Sequence, residues 1–418
     1  MRSRLALLGA LALALLLDSC SGRERSNPLD AANPTSGGAP QGFNAIAGFV
    51  SARIVWTPRP DLAIDGFRLY RKAPFDADFV PLAGLQPPSS STYFDGGLID
   101  GLDYRYRLYF VTQGALSARY AEDVATPGRL RAWTADAAGG RLIQLSPDAR
   151  DVISVRDGFG AVYSLAVTPD HGPLWIPDNL SGAIRIVDPV NFNAVTVNGF
   201  AQQPFTTALD PLDGSAWVCD LTGQVVHLSP SGAPAGRSLP LLLQPAGIAT
   251  DADSGEVWVT ELAGNRVRRY LRDGTPNGAR AISSPSRVAT DSLTGDGWVT
   301  SFTTGWVWRI QQILVVPDSL RLQGPIGVAL DWRRRTAWVA DALAKDLVAI
   351  DMDTHAVRFR ISGFGEPRDV AVDLDRGEAW VVDRTAGTVY RVSPTGTLLG
   401  AASGLGNPHE VRLDRGYQ

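Results

Sequence analysis

Pro325-Ile-Gly-Val-Ala-Leu-Asp331, followed by Ala337-Trp338-Val339-Ala340-Asp341, is a pair of phrases that recurs through the last two thirds of the chain. The second phrase, typically a small residue, Trp, an aliphatic and an acid, is centred on Trp133, Trp175, Trp217, Trp258, Trp298, Trp338 and Trp380, at separations of 42, 42, 41, 40, 40 and 42 residues. The first reads P-x-x-x-A-x-D. It returns from Pro204 to Asp210, Pro245 to Asp251, Pro285 to Asp291 and Pro367 to Asp373, with a degenerate copy from Val162 to Thr168. In every case the Trp stands seven residues after the last position of the first phrase, across turn residues such as Asp213-Gly214, Ser254-Gly255 and Arg376-Gly377. Two short apolar runs joined by a Gly-containing turn form a hairpin. A second turn (Ser181-Gly182, Thr222-Gly223, Ala386-Gly387) leads to an alternating strand such as Val225-Val226-His227-Leu228, and a weaker fourth strand ends the unit. Each repeat of 40–42 residues is thus a four-stranded antiparallel meander, the unit of a β-propeller.

The ends set the count. Pro408-His-Glu-Val-Arg-Leu-Asp414 is a further Pro-to-Asp phrase with no Trp after it, and Trp133 has no good Pro-to-Asp phrase before it. The C-terminal strand is therefore expected to complete the first blade and close a seven-bladed ring without a covalent seam, which removes the open edge. Asp123-Val-Ala-Thr126 competes for that place, one residue out of register. Alanine recurs on the inner strand (Ala166, Ala208, Ala249, Ala289, Ala329, Ala371), where blades converge, and the Trp fills the wider gap further out. Each buried indole N–H is expected to have a hydrogen-bond partner.

These phrases resemble the NHL and streptogramin-lyase type of propeller repeat. The likeness is densest in Pro245-Ala-Gly-Ile-Ala-Thr-Asp251 with Val257-Trp-Val-Thr-Glu-Leu-Ala-Gly-Asn-Arg-Val267, and it covers residues 130–418. It implies the fold. It implies little about activity, because such propellers serve as enzymes, sensors and docking platforms.

Residues 1–19 read as an export signal, with Arg2 and Arg4 as the positive start and an apolar run of thirteen from Leu5 to Leu17. Such a run is too short to cross a hydrocarbon core of ~30 Å as a helix. Leu17-Asp18-Ser19-Cys20 resembles a bacterial lipobox, from which Asp18 departs. The resemblance implies lipidation of Cys20, a membrane anchor and a place in the cell envelope. Ser21 resembles the outer-membrane sorting pattern of cells with two membranes. Residues 20–40, rich in Pro, Gly, Asn and Ser, are expected to be a flexible tether. With Cys20 acylated, Cys219 has no disulfide partner and reads as a buried strand residue; neither cysteine belongs to a zinc pattern.

Residues 41–127 lack the Trp repeat. Alternation in Ala52-Arg-Ile-Val-Trp56, Phe67-Arg-Leu-Tyr70 and Tyr104-Arg-Tyr-Arg-Leu-Tyr-Phe-Val111 marks strands of a two-sheet sandwich. The segment resembles a fibronectin type III domain, with Trp56 on the second strand and Tyr70 on the third. Asp95-Gly-Gly-Leu98, Gly101 and Tyr104-x-Tyr106 match the corner at which a tyrosine hydroxyl bonds back to the chain. Residues 128–418 are left for the propeller, so the whole chain is expected to be all-β.

A net charge of −4 with 20% charged residues gives no basic face for nucleic acid. There is no phosphate loop, no serine-nucleophile elbow and no HExxH, and four histidines leave few general bases. No cofactor or metal is expected. Asp136, Asp178, Asp220, Glu261, Asp341 and Asp383 end the Trp strands, where an acid can accept turn N–H groups. Asp251-Ala-Asp253-Ser-Gly255-Glu256 looks like a calcium loop only superficially, since its counterparts are hairpins.

What varies inside the repeat is more informative. The two residues after each Pro are expected to line an exposed mouth of the central channel. There Arg287, Arg368, Asp369, His409 and Glu410 are polar exceptions, with Glu261 a further candidate for the mouth, and Arg412 replaces the inner-strand Ala and calls for a nearby carboxylate. Two classes of function follow. The first is a lipid-anchored, non-catalytic envelope protein whose propeller binds a protein or glycan. The second is a metal-dependent lyase: virginiamycin B lyases use His and Glu at such a mouth, and here His409 and Glu410 would supply the base while Glu261 keeps that family's Trp-x-Thr-Glu ending.

Overall fold

In the computed structural model the two phrases become paired strands. The structure describes residues 27–48, 50–128, 130–168, 172–236, 238–311 and 318–414. The signal segment and Cys20 lie outside the described residues. The chain divides into two compact units, Met1–Pro127 and Gly128–Gln418.

Among the described residues, seven antiparallel sheets build the second unit. The Ala of each inner strand lies opposite the Trp of the next: Ala166 and Trp175, Ala208 and Trp217, Ala249 and Trp258, Ala289 and Trp298, Ala329 and Trp338, Ala371 and Trp380. The C-terminal strand Pro408–Leu413 pairs with Ala132–Asp136 and puts Arg412 opposite Trp133. The competing segment Ala121–Ala125 pairs with Tyr104–Thr112 in the first unit.

Packing explains the spacing. Each Trp sits against the Trp strand of the following sheet: Trp133 against Leu174 and Ile176, Trp217 against Val257 and Val259, Trp338 against Ala379 and Val381. Trp380 closes the circuit against Ala132. Inner strands touch in the same order, and Pro408–Leu413 touches both Pro367–Asp373 and Ala166–Val167. The seams are so tightly closed that, among the described residues, the indole N–H groups of Trp133, Trp217, Trp258, Trp298, Trp338 and Trp380 have no hydrogen-bond acceptor. The expectation of a partner for each indole fails here. Each ring packs on one side against the apolar strand of the next sheet and, in several repeats, meets a side chain such as His227, Arg269 or Phe359 as well, and the area it buries outweighs one unpaired donor.

Among the described residues, one repeat departs from the four-strand expectation and another keeps it with a shortened inner strand. The sheet of Pro204–Leu209, Ala216–Asp220 and Val225–Leu228 has three strands, its fourth reduced to isolated bridges at Pro234 and Leu239. Pro230, Pro234 and Pro240 in that stretch have no N–H for a ladder. In the degenerate repeat the inner strand shrinks to Ala166–Val167.

The first unit has two sheets. Asn44–Gly48, Ser51–Val55 and Thr92–Gly96 form one. The other holds Val80–Pro81, Gly66–Lys72, Tyr104–Thr112 and Ala115–Leu116, with Ala121–Ala125 also on Tyr104–Thr112. Alternation buries Tyr104, Tyr106, Leu108 and Phe110 with Ile54, Trp56 and Phe67 in one core. The Ile99 N–H donates to the Tyr104 hydroxyl at 3.1 Å, and the Tyr106 hydroxyl donates to Asp95 at 2.8 Å. The flexible tether expected over residues 20–40 needs correction from Asn27 onward. Buried Asn33 accepts the Thr35 and Ser36 N–H groups, the Ser36 hydroxyl donates to the Pro28 carbonyl at 2.7 Å, Arg59 donates to the Thr35 carbonyl, and Leu29 packs on the core. Asx turns satisfy this backbone locally, so a Pro/Asn-rich composition here folds into a fixed loop.

Candidate functional site

Register brings the two ends of each hairpin to one rim. Pro204 lies opposite Asp220, Pro245 opposite Glu261, Pro325 opposite Asp341, Pro367 opposite Asp383 and Pro408 opposite Asp136. A register shift follows each of these prolines, so the next residue lies in a bulge at the rim. Phe205, Ala246, Ile326, Arg368 and His409 occupy that place.

The acids at the rim are latches. Asp220 accepts the N–H groups of Gln202 and Gln203, Asp341 those of Gln323 and Gly324, and Asp383 those of Gly365 and Glu366. Each thereby fixes the loop that enters its own inner strand. Asp136 holds Asn407 in the same way and pairs with Arg141 at 2.6 Å. Burial alone would raise the pKa of Asp178, but the N–H groups of Gly160 and Ala161 and the Ser181 hydroxyl hold it below the usual carboxylate range. Glu261 belongs to this set and not to the mouth: it accepts the Leu243 N–H at 3.0 Å and pairs with Arg268. Asp251 likewise caps its hairpin, accepting Asp253 and Ser254 N–H groups.

The mouth itself brings Arg287, Arg368, Asp369, His409 and Glu410 together. His409 Nδ1 lies 3.0 Å from the Tyr163 carbonyl, and its Nε2 lies 2.9 Å from Arg368 Nε. A carbonyl only accepts and a guanidinium only donates, so Nδ1 carries the proton and the Nε2 lone pair is occupied. Burial, reinforced by Arg368 and Arg287, pushes the His409 pKa down to about 3. Asp369 accepts the Val411 N–H at 3.1 Å and Arg412 Nη1 at 2.8 Å. Glu410 accepts the Leu165 N–H at 3.2 Å and pairs with Arg412 through its other oxygen. These two carboxylates answer the charge that Arg412 carries into a ring of alanines. Below them, Arg412 and all six of the inner-strand alanines line an axial cavity of 350 Å3.

The expected exposed rim is corrected by this burial, since Asp369, His409 and Glu410 are only 5%, 5% and 1% exposed. Neighbouring inner strands approach closely enough that a Cβ on Gly327 would lie 2.6 Å from the Asp369 Cα. Replacing the cluster by alanine is therefore expected to cost stability, contrary to what an exposed rim would give. Arg287 is the exception. It is half-buried, its guanidinium lies 5.8 Å from the centre of the Phe205 ring, and among the described residues it has no side-chain hydrogen bond or ion pair. Burial pushes its pKa down, and Asp369 pulls it back up.

No family model and no curated protein matches the sequence. Among solved structures the chain is similar to a streptogramin B lyase, at 17% identity and a TM-score of 0.51 over 60% of this chain and 87% of that one. It is also similar to a functionally unknown protein from Desulfotomaculum acetoxidans, at 12% identity and a TM-score of 0.58 over 69% of this chain and 99% of the other. A third is apo AztD from Citrobacter koseri, at 12% and 0.51 over 69% and 99%. By fold, the chain is a β-propeller protein. At such identities the likeness extends to the propeller and no further.

Sequence reasoning missed Tyr163. Its ring packs 5.5 Å from Phe205 and 5.1 Å from His409, and its carbonyl fixes the imidazole. The signal was present: Tyr163 follows Val162 as Phe205 follows Pro204. Arg384 and Glu366, paired at 2.6 Å beside Arg368, were also unmarked, because they lie in loops outside the repeated phrases.

Proposed function

We propose that this is a lipid-anchored, non-catalytic cell-envelope protein in which a fibronectin type III-like sandwich precedes a seven-bladed propeller that binds a protein or glycan at its mouth. The two-sheet core and the Tyr104 hydroxyl at the corner support the sandwich assignment. Closure of Pro408–Leu413 on Ala132–Asp136 supports seven blades. The Cys20 junction supports the anchor, placed in the outer membrane where the cell has two.

One observation carries the choice of binding over lysis: both nitrogens of His409 are engaged, one by a carbonyl and one by Arg368. An imidazole in that state has no lone pair for a substrate proton. The metal that a lyase of this fold would use does not fit the residues present. Glu410 is bound to Arg412 and the Leu165 N–H, Glu261 to Arg268, and Arg287 and Arg368 present positive charge where a cation would enter.

Replacing Cys20 by Ala is expected to move the protein from membranes to the soluble fraction, and unchanged membrane association would contradict the anchor. The purified protein is expected to show no shift in melting temperature with Mg2+ or Mn2+. A saturable, metal-dependent shift that disappears in His409→Gln would overturn the non-catalytic reading.

A further inference from the structure

We infer that the propeller mouth and the leucines around it form a docking site for an acidic protein segment, in which one carboxylate pairs with Arg287 and apolar neighbours cover Leu180, Leu241 and Leu343. The inference rests on the binding role proposed above and names its partner class. Its first support is the charge left over at the mouth. Arg412 is consumed by Asp369 and Glu410, Arg384 by Glu366, and Arg368 by His409 and Glu366, whereas Arg287 faces the mouth without an ion pair among the described residues. A planar guanidinium resting beside Phe205 and Tyr163 offers a fork of donors that matches a carboxylate. A dianionic phosphate is disfavoured, because Asp369 and Glu410 lie in the same cluster and would repel the second charge.

The second support is apolar and independent of the first. Leu180, Leu241 and Leu343 are 76%, 75% and 58% exposed. Leu180 and Leu343 each follow a latch acid, Asp178 or Asp341, by two residues, and they lie over the loops that enter inner strands. A Cβ built on Gly160 would meet Leu180 at 2.9 Å, and one on Gly324 would meet Leu343 at 2.5 Å. Leu241 stands in the loop before Pro245 and lies 3.2 Å from a Cβ built on Gly223. All three therefore share the rim with the mouth. Exposed leucines around a guanidinium that has no ion pair or side-chain hydrogen bond among the described residues suit a peptide with alternating acidic and apolar side chains. They suit an acidic glycan poorly, because sugar hydroxyls would be desolvated against them.

The test titrates the full-length protein in detergent micelles with a fluorescent acetyl-Leu-Glu-Leu-Leu-Glu-Leu-amide peptide, its Gln-for-Glu counterpart, and an oligogalacturonide. The acidic peptide is expected to bind, and its Gln counterpart to bind about tenfold more weakly, the loss of one charge-assisted pair. Arg287→Gln should weaken the acidic peptide by a similar factor and leave the Gln peptide unchanged. Leu180→Ser and Leu343→Ser, at exposed positions that do not threaten folding, should weaken both. Equal binding of the two peptides, no binding of the acidic one, or indifference to Arg287→Gln in a protein with unchanged melting temperature would overturn the docking site. An oligogalacturonide that binds more tightly than the peptide, and depends on Arg287, would overturn the protein partner while keeping a binding mouth. Peptide binding that is lost only on adding a divalent metal would count instead against the non-catalytic reading.

Discussion

His409 shows how strongly a single residue is defined by what surrounds it. Its ring is clamped between a carbonyl and a guanidinium and is forced neutral, with its pKa pushed down to about 3 by burial and by Arg368 and Arg287. An unfolded histidine takes its proton near pH ~6.5. Between those two values the unfolded state holds one proton more than the folded state, so stability must fall as the pH falls through that window. The predicted contribution of His409 is roughly 1.4 kcal/mol per pH unit. His227 and His355, also lowered by burial, add slopes of the same sign, so the difference between wild type and His409→Gln isolates this residue. Urea unfolding at pH 6.5 and pH 5 should show a flatter loss for the variant; equal slopes would mean that His409 is not held neutral. The sequence exposed His409, Asp369, Glu410 and Arg412 as exceptions to the repeat, but not their bonds. Two of the partners come from a distant part of the chain: Tyr163 and Leu165, just before the strand Ala166–Val167, lie two hundred and forty-six and two hundred and forty-five positions away from the residues they bind. Glu261 misled for a related reason. Its place in the phrase fixed the rim correctly, but the phrase could not say whether the side chain turns to the channel or, as it does, back to Leu243 and Arg268.

At the scale of the strand, the repeat's preference for a small residue before Trp has a steric cause. That residue faces the Trp of the preceding sheet, and at Gly297 a Cβ would lie only 2.5 Å from Cζ3 of Trp258. The Trp258 ring is 1% exposed and is covered on its other side by Arg269 at 4.9 Å, so it has nowhere to retreat. Gly297→Val is expected to destabilise by about 1–3 kcal/mol, the usual penalty for overpacking. Unfolding in urea would register this as a lower midpoint with an unchanged slope, and an unchanged midpoint would mean that the seam has room. Strand identity was legible because period-2 alternation and Gly turns are local properties. The lost fourth strand before Pro240 was not read, although the three prolines that remove its ladder donors were in view. The loop from Asn27 escaped because its order comes from side-chain to backbone bonds that composition does not register.

At the scale of the molecule, everything at the mouth depends on a closure made by the chain's last strand. Pro408–Leu413 supplies His409, Glu410 and Arg412 to the site and simultaneously covers the edge of Ala132–Asp136. The seam is held by Val411, fully buried beside Trp380 and Ala132, by the Thr134 hydroxyl donating to the Glu410 carbonyl at 2.8 Å, and by the Arg131 N–H donating to Asp414 at 2.7 Å. Removal of this strand would leave a row of unpaired backbone groups on Ala132–Asp136 and open the Trp380 seam to water. An exposed edge of that kind pairs with other chains. The ring is expected to lose its cooperative thermal transition or to aggregate when the chain is ended before Pro408. Because the strand is bound without a covalent link to its blade, a synthetic peptide of residues 404–414 should restore the transition when added in trans. Rescue should require Val411, and a peptide with Val411→Asp should fail. Had Ala121–Ala125 been the closing strand, truncation would leave the ring intact, so a truncated protein with the wild-type melting temperature would refute closure through Pro408–Leu413 and, with it, the mouth that the strand completes.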